Sequence, residues 1–167
     1  MSSDKHTQSE VAEKFWDALE ETRMGFLGMT STGSHQMQPM TAFGERDNRQ
    51  IWFFTSKQTD LAREAGKGGD GMFNLVAKDR KLWACVRGTL SERFDRARIE
   101  EHWNPIVAAW YPEGKDDPNL TLLCLDLEDA DLWIDEGGPL KLAWEVAKAN
   151  LTKTLPDEGE RAHLNFQ

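Results

Sequence analysis

Apolar residues along this chain follow two periods. From Ser9 to Thr22 they recur at helical spacing: Val11, Phe15, Ala18 and Leu19 share one face with acidic residues opposite, and Ser9 offers an N-cap. The period then shortens. Residues 25–30 and 37–44 read as two strands joined by TGSHQ, a hairpin-type connection around Gly33. The turn RDNR leads into QIWFFTS, residues 50–56, an aromatic and β-branched strand. A short helix over 59–65 follows, with Thr59 at its N-cap and the glycines of GKGGDG ending it. Strands are predicted over 72–77 and 82–93 with a turn at KDRK between them, and Gly88 marks a bulge or a bend in the second. Helical spacing returns over 95–110, where Ile99, Trp103, Ile106, Val107 and Trp110 share a side and Pro105 divides the stretch in two. After the loop YPEGKDDPN, residues 120–127 and 130–135 read as two more strands. Residues 139–152 read as a helix with Leu140, Ala143, Trp144, Ala147 and Leu151 on one face, and 153–167 as a polar, partly mobile tail.

Six or seven strands joined mostly by short turns form antiparallel pairs. No glycine-rich phosphate loop follows a strand, which argues against a Rossmann sheet. The architecture expected is mainly β, an antiparallel barrel with peripheral helices, in a single domain over residues 1–167: N-terminal helix 9–22, barrel 24–136, C-terminal helix 139–152 and tail 153–167.

Composition narrows the partners. The 167 residues carry a net charge of -9, with 39% hydrophobic and 29% charged residues. A chain this acidic lacks the basic face that nucleic acid requires, so no nucleic-acid partner is expected. No apolar run reaches the about 18 residues of a membrane span, and MSSDKHTQSE has no apolar signal core; a cytoplasmic protein with no membrane partner is expected. Cys85 and Cys124 lie in apolar runs and read as reduced core thiols, although Arg87 shares the strand face of Cys85. His6, His35, His102 and His163 are scattered, so no metal site is expected. No catalytic triad or carboxylate pair stands out, and no catalytic residue is assigned.

Three features carry candidate chemistry. In IWFFTSKQT, Trp52 and Phe54 point to one side of the strand and Phe53 and Thr55 to the other. The strand ends in Thr55, Ser56, Lys57 and Thr59 as a helix begins; hydroxyls, an ammonium and free helix N–H groups are what a phosphate requires. The same residues equally fit a core strand followed by an ordinary capped helix. In MQPMTAF, Pro39 marks an edge or a bulge, where free backbone groups could meet a planar heterocycle; an ordinary edge strand fits as well. Seven tryptophans are more than so small a barrel encloses, so some should meet a ligand or a partner subunit.

QPM at 38–40, IWFFTS at 51–56, WNPIVAAWYPEGKDDPNLTLL at 103–123 and ADLW at 130–133 form a set of segments. Together they resemble the general stress protein 26 branch of the pyridoxamine 5'-phosphate oxidase-like, FMN-binding split-barrel proteins. The resemblance implies a six-stranded Greek-key split barrel, a homodimer, and FMN in a cleft between subunits. It places Gln38, Pro39, Met40 and Thr41, then Phe54, Thr55, Ser56, Lys57 and Thr59, at the cofactor, with Trp110 and Trp133 as aromatic neighbours, possible contributions of the other subunit. It further implies a flavin-dependent oxidoreductase of unknown small-molecule substrate; a flavin-binding or flavin-buffering protein without turnover and a cofactor-free dimeric interaction protein are the alternatives. The acidic tail lacks the arginine-rich substrate segment of pyridoxamine phosphate oxidase, so that activity itself is not expected. Two positions depart from the family pattern: Gln38 stands where arginine is usual, and Leu61 where lysine is usual. Neutral replacements cost about 1 kcal/mol or more each, and two of them weaken FMN roughly 30-fold. Lys57 is the substitute cation, and another flavin such as FAD is the alternative ligand.

Overall fold

The computed structural model describes residues 6–31, 36–157 and 159–167. Helix α1, Gln8–Thr22, opens the fold. Its N-cap is Thr7 rather than Ser9, because Glu10 closes a capping box: the Thr7 hydroxyl accepts from the Glu10 N–H, and the Glu10 carboxylate accepts from the Thr7 N–H at 2.7 Å. Val11, Phe15, Trp16 and Leu19 are its buried residues.

The strands are β1 (Met24–Met29), β2 (Gln38–Thr41), β3 (Phe43–Glu45), β4 (Gln50–Ser56), β5 (Gly69–Val76), β6 (Leu82–Glu92), β7 (Leu120–Ile134) and β8 (Glu160–Asn165). Helix α2, Asp60–Ala65, links β4 to β5; α3, Arg96–His102, and α4, Pro105–Ala108, link β6 to β7; and α5, Gly138–Thr152, links β7 to β8. All pairs are antiparallel, in the order β2-β1-β5-β6-β7-β4-β3 with β8 added on β7. Because β2 and β3 are successive pieces of one stretch, the path returns on itself. The result is a six-stranded split barrel with helices outside it. The turn carrying Gly33 lies outside the described residues, but β1 and β2 pair as that hairpin requires.

The barrel interior is apolar. Leu27, Ile51, Phe53, Phe73, Leu75, Val86, Leu90, Leu123 and Leu125 fill it, and α2 adds Leu61, Ala62 and Ala65. A second cluster lies outside the barrel wall, where α3 and α4 cover Phe43, Trp52, Leu122 and Cys124 with Ile99, Val107 and Tyr111. The strand faces follow from this: Trp52 and Phe54 pack in the outer cluster, Ile51 and Phe53 in the inner one. Glu45 clamps α3 across the outer cluster. Its two oxygens accept from Arg98 Nε and Nη2 at 3.2 and 3.1 Å, and Asn48 donates at 2.8 Å. Burial pushes the Glu45 carboxyl up, but these hydrogen bonds and the Arg98 charge outweigh it and hold the group below the usual range.

Three of these sequence expectations need correction. The 37–44 strand is two strands, broken at Ala42. The strands expected at 120–127 and 130–135 are one, β7, because Glu128 is an extra residue absorbed where the β6–β7 register shifts between Arg87 and Gly88. Gly88 permits that approach: a Cβ there would lie 2.0 Å from the Asp126 carbonyl oxygen. The tail is not all mobile coil, since β8 pairs with Asp129–Ile134 and buries Ala162, Leu164 and then Phe166, which meets the rings of Phe15 and Trp16 edge-on. Finally, α5 forms as expected, but none of its residues is buried. Pro105 does divide the 95–110 stretch, as the first residue of α4.

Two predictions follow from these contacts. Gly88→Ala should lose about 1–3 kcal/mol in urea unfolding through steric overlap at the bulge; unchanged stability would mean the strands do not approach this closely. A carboxylate whose folded pKa is depressed stabilises above its unfolded pKa, and that stability is lost as pH falls through the folded value. Wild-type stability should therefore drop on acidification below about pH 5, and Glu45→Gln should flatten part of that slope while costing about 1–3 kcal/mol at neutral pH. An unaltered slope would show that the Glu45–Arg98 clamp contributes nothing.

Candidate functional site

The barrel seam between β2 and β4 is where the predicted residues converge. β3 pairs only with Gln50–Trp52, at Glu45↔Gln50, Gly44↔Ile51 and Phe43↔Trp52. Were that ladder to continue, Thr41 would face Phe54 and Pro39 would face Ser56. It stops instead, because the Ala42 N–H donates to the Arg23 carbonyl at 2.6 Å and β2 pairs with β1. Pro39 has no N–H to offer. β2 and β4 thus lie side by side with no ladder between them among the described residues. The upper half of β4 keeps a backbone edge facing that seam, with β7 on its other side.

Nine of the eleven predicted residues line this seam or its end. Met40 points into the core, Gln38 is half-buried, and Pro39 and Thr41 are exposed on the outer face. Phe54 is half-buried against Phe43 and Trp103, Thr55 is buried, and Ser56 is half-buried. Beyond Ser56 the chain turns into α2. The Thr59 hydroxyl accepts from the Ala62 N–H at 3.1 Å as the N-cap and lies 3.0 Å from the Ser56 carbonyl, to which it donates. Its one hydrogen is therefore committed to the turn. The Ser56 hydroxyl accepts from the Gln58 N–H at 3.3 Å and keeps its hydrogen. Lys57 is exposed, and its ammonium has no partner among the described residues.

The DDPN turn buttresses this corner. Asp117 is buried and accepts from the Asn119 N–H at 2.9 Å; the Asn119 carbonyl in turn accepts from the Lys57 N–H at 2.8 Å, and the Asn119 side chain accepts from Gln58 Nε2 at 3.1 Å. Sequence reasoning missed Arg63. It donates to the Gln58 carbonyl at 2.5 Å and to Asp60 at 3.2 Å, bringing a second cation to the corner and neutralising Asp60. The three-residue spacing of Asp60 and Arg63 on a helix was the available signal. Leu61, by contrast, is buried in the barrel core, which is why an apolar residue serves there.

Two predicted residues lie apart. Trp110 follows α4 and is 78% exposed; Trp133 is on the outer face of β7, cross-strand from Trp83, with the Arg161 guanidinium 5.3 Å from its ring centroid. Within one chain the seam is therefore not walled by these indoles.

Thiols and ligating side chains lie elsewhere in the fold. Burial pushes the Cys124 thiol up to about 12 and raises that of Cys85, where Arg87 is bound to Asp129 at 2.6 Å and Asp131 at 3.0 Å instead. Both cysteines are free. Ligand atoms of Glu45, Glu101 and His102 fall within 4.8 Å of one another, a grouping that sequence spacing did not reveal. Arg98 and Asn48 already occupy the Glu45 oxygens, which opposes a cation there. A cleft of about 460 Å³ between α1, β3 and the α3–α4 turn includes none of the eleven residues. No helix among the described residues is long and apolar enough to cross a membrane.

Comparison with known proteins bears on the fold and the family. General stress protein 26 of Bacillus subtilis (strain 168) is 27% identical over 129 residues, covering 75% of this chain and 89% of its own. A structure assigned as general stress protein 26 from Jannaschia sp. CCS1 superposes with a TM-score of 0.79 at 34% identity, over 95% of this chain and 99% of its own. The general stress FMN/FAD binding protein of Xanthomonas citri gives 0.72 at 42% identity, over 78% and 92%. The profile of the family described as "Pyridoxamine 5'-phosphate oxidase like" matches residues 10–157, and the chain belongs to that family.

Proposed function

We propose that the seam between β2 and β4 binds a flavin, FMN first and FAD second, in a homodimer, and that the protein is a flavin-dependent oxidoreductase acting on a small molecule. One observation carries this reading: a seam of backbone edges that, among the described residues, has no ladder and ends on a lysine without a partner. That arrangement fits a planar heterocycle with a phosphate tail. Lys57, the Ser56 hydroxyl and the N–H groups that a helix leaves unpaired at its start would hold the phosphate. Thr59 shapes the turn, and Arg63 offsets the Asp60 charge beside it, leaving Lys57 as the cation that answers for the neutral Gln38 and Leu61. Gln38, Pro39, Met40 and Thr41, with Phe54 and Thr55, would line the ring, and Trp110 and Trp133 of a second copy would screen it from water. When bound, the flavin supplies hydride or electron transfer. The Xanthomonas citri relative, an FMN/FAD binding protein, supports the ligand class. Free thiols support a reducing, cytoplasmic setting.

Purified protein should take up FMN and show flavin absorbance, with the ligand identified by mass after release. Lys57→Ala should weaken FMN about tenfold or more, the loss of one charge-assisted hydrogen bond, and leave the affinity for phosphate-free riboflavin unchanged. Unaltered FMN affinity would place the phosphate elsewhere, and failure to take up FMN, FAD or riboflavin would remove the flavin reading. Reduction of the bound flavin by NADH or NADPH followed by reoxidation supports turnover; a flavin inert to both donors leaves binding alone.

A further inference from the structure

Residues 135–159 make an excursion that leaves and returns at one point, because Ile134 and Glu160 are register partners across β7 and β8. The excursion carries α5, and its root is well tied: the Asp135 N–H donates to the Lys81 carbonyl at 2.8 Å, and Lys14 pairs with Glu136 at 2.6 Å. Beyond the root, the polar bonds tie the arm to itself, with Lys141 to Asp157 at 3.0 Å and the Asp157 N–H to Glu145 at 3.4 Å.

The ends of α5 contribute little: Gly137 at the N-cap makes no side-chain cap bond, and no acidic residue lies in the first turn or basic residue in the last, while Pro139 opens the helix and the Lys153 N–H closes it on the Ala149 carbonyl at 2.8 Å. A 15-residue helix with no buried face is marginal in water. Yet it exposes Leu140, Leu142, Trp144, Val146 and Leu151, with Trp144 68% and Leu151 85% accessible. Apolar surface of this extent calls for a covering partner.

We propose that α5 is a dimer arm whose apolar side packs on a second copy of this chain, extending the interface formed by the outer sheet face; this rests on the homodimer reading above. That sheet face presents Met24, Phe26, Val76, Trp83 and Trp133, each between one third and just over one half exposed. It runs up to the arm root, since Trp133 sits one residue before the last pair of β7. Taking about 200 Å² for a whole large side chain, these five leave on the order of 500 Å² to cover, short of the roughly 800 Å² per partner of a stable interface. On the arm, Leu140, Trp144 and Leu151 share one face and contribute on the order of 500 Å² more by the same measure, and together the two surfaces clear that size. On the sheet face, Asp129 and Asp131 beside these residues are paired with Arg87 at 2.6 and 3.0 Å, which offsets their charge against a second copy. A lipid surface is a poorer match, because interfacial helices need a basic polar face and α5 offers Lys148 and a Lys141 already paired to Asp157.

The test is the full chain carrying Leu140→Asp, Trp144→Asp and Leu151→Asp, three exposed positions that the monomer fold does not need. Sedimentation equilibrium should show a dimer dissociation constant at least tenfold weaker than wild type. Hydrogen exchange over 138–152 should accelerate while the amides of β5–β7 keep their protection. Equal dimer affinity with α5 still protected would overturn the arm and leave the homodimer standing. A monomeric wild type would overturn both. Wild-type binding to phosphatidylcholine vesicles that the triple variant loses would assign the arm to lipid and overturn its docking on a second copy.

Discussion

Residues 38–45 must pair with β1 on one side of the barrel and β4 on the other, and a single short strand does not satisfy both. The chain divides the task at Ala42, whose N–H is spent on the Arg23 carbonyl. β2 takes β1 as its partner and β3 takes the lower half of β4. A closed barrel with one unladdered seam is the result. Pro39, lacking a donor, stands where the missing ladder would otherwise run. The corner that carries Lys57 ends the seam and is held by Asn119 and Asp117 from the far side of β7's start. Flavin binding, as proposed, uses what barrel closure leaves unpaired.

Much of this could be read from local pattern. The β4 bounds, the Thr59 cap, the bulge at Gly88 and the break at Pro105 each depend on neighbours within a few residues, and each is found where the sequence places it. The errors are non-local. Glu128 and Asp129 read as a strand break until β6 is seen beside them, because a bulge is a property of a pair. β8 hides behind Glu160, Arg161 and His163, since its alternation matters only once β7 offers an edge. The amphipathic pattern of α5 identifies an apolar side without naming what covers it. The residues proposed for the cofactor divide likewise: Ser56, Lys57 and Thr59 stand out by type and spacing. The nearness of Gln38–Thr41 to them is a product of the fold that only family likeness implies, and Arg63 reaches this corner through its bonds to Asp60 and the Gln58 carbonyl, which a single sequence does not display.

The apolar surplus is as informative as the core. Of the seven tryptophans, Trp83, Trp110, Trp133 and Trp144 stay exposed, while Trp16 and Trp52 are buried. The exposed large apolar residues gather on three surfaces: the outer sheet face, the α3–α4 corner with Phe94, Ile106 and Trp110, and the arm. The proposed homodimer would give all three a use, as interface, as the ring's second wall and as a grip on the partner.

The central claim is that the β2–β4 seam is the flavin site. Backbone amide chemical shifts recorded during an FMN titration test it most directly. The account predicts that the largest changes fall together on Gln38, Met40 and Thr41 and on Ser56–Asp60. Changes confined to the cleft between α1, β3 and the α3–α4 turn, or absent from both segments at saturating FMN, would contradict it.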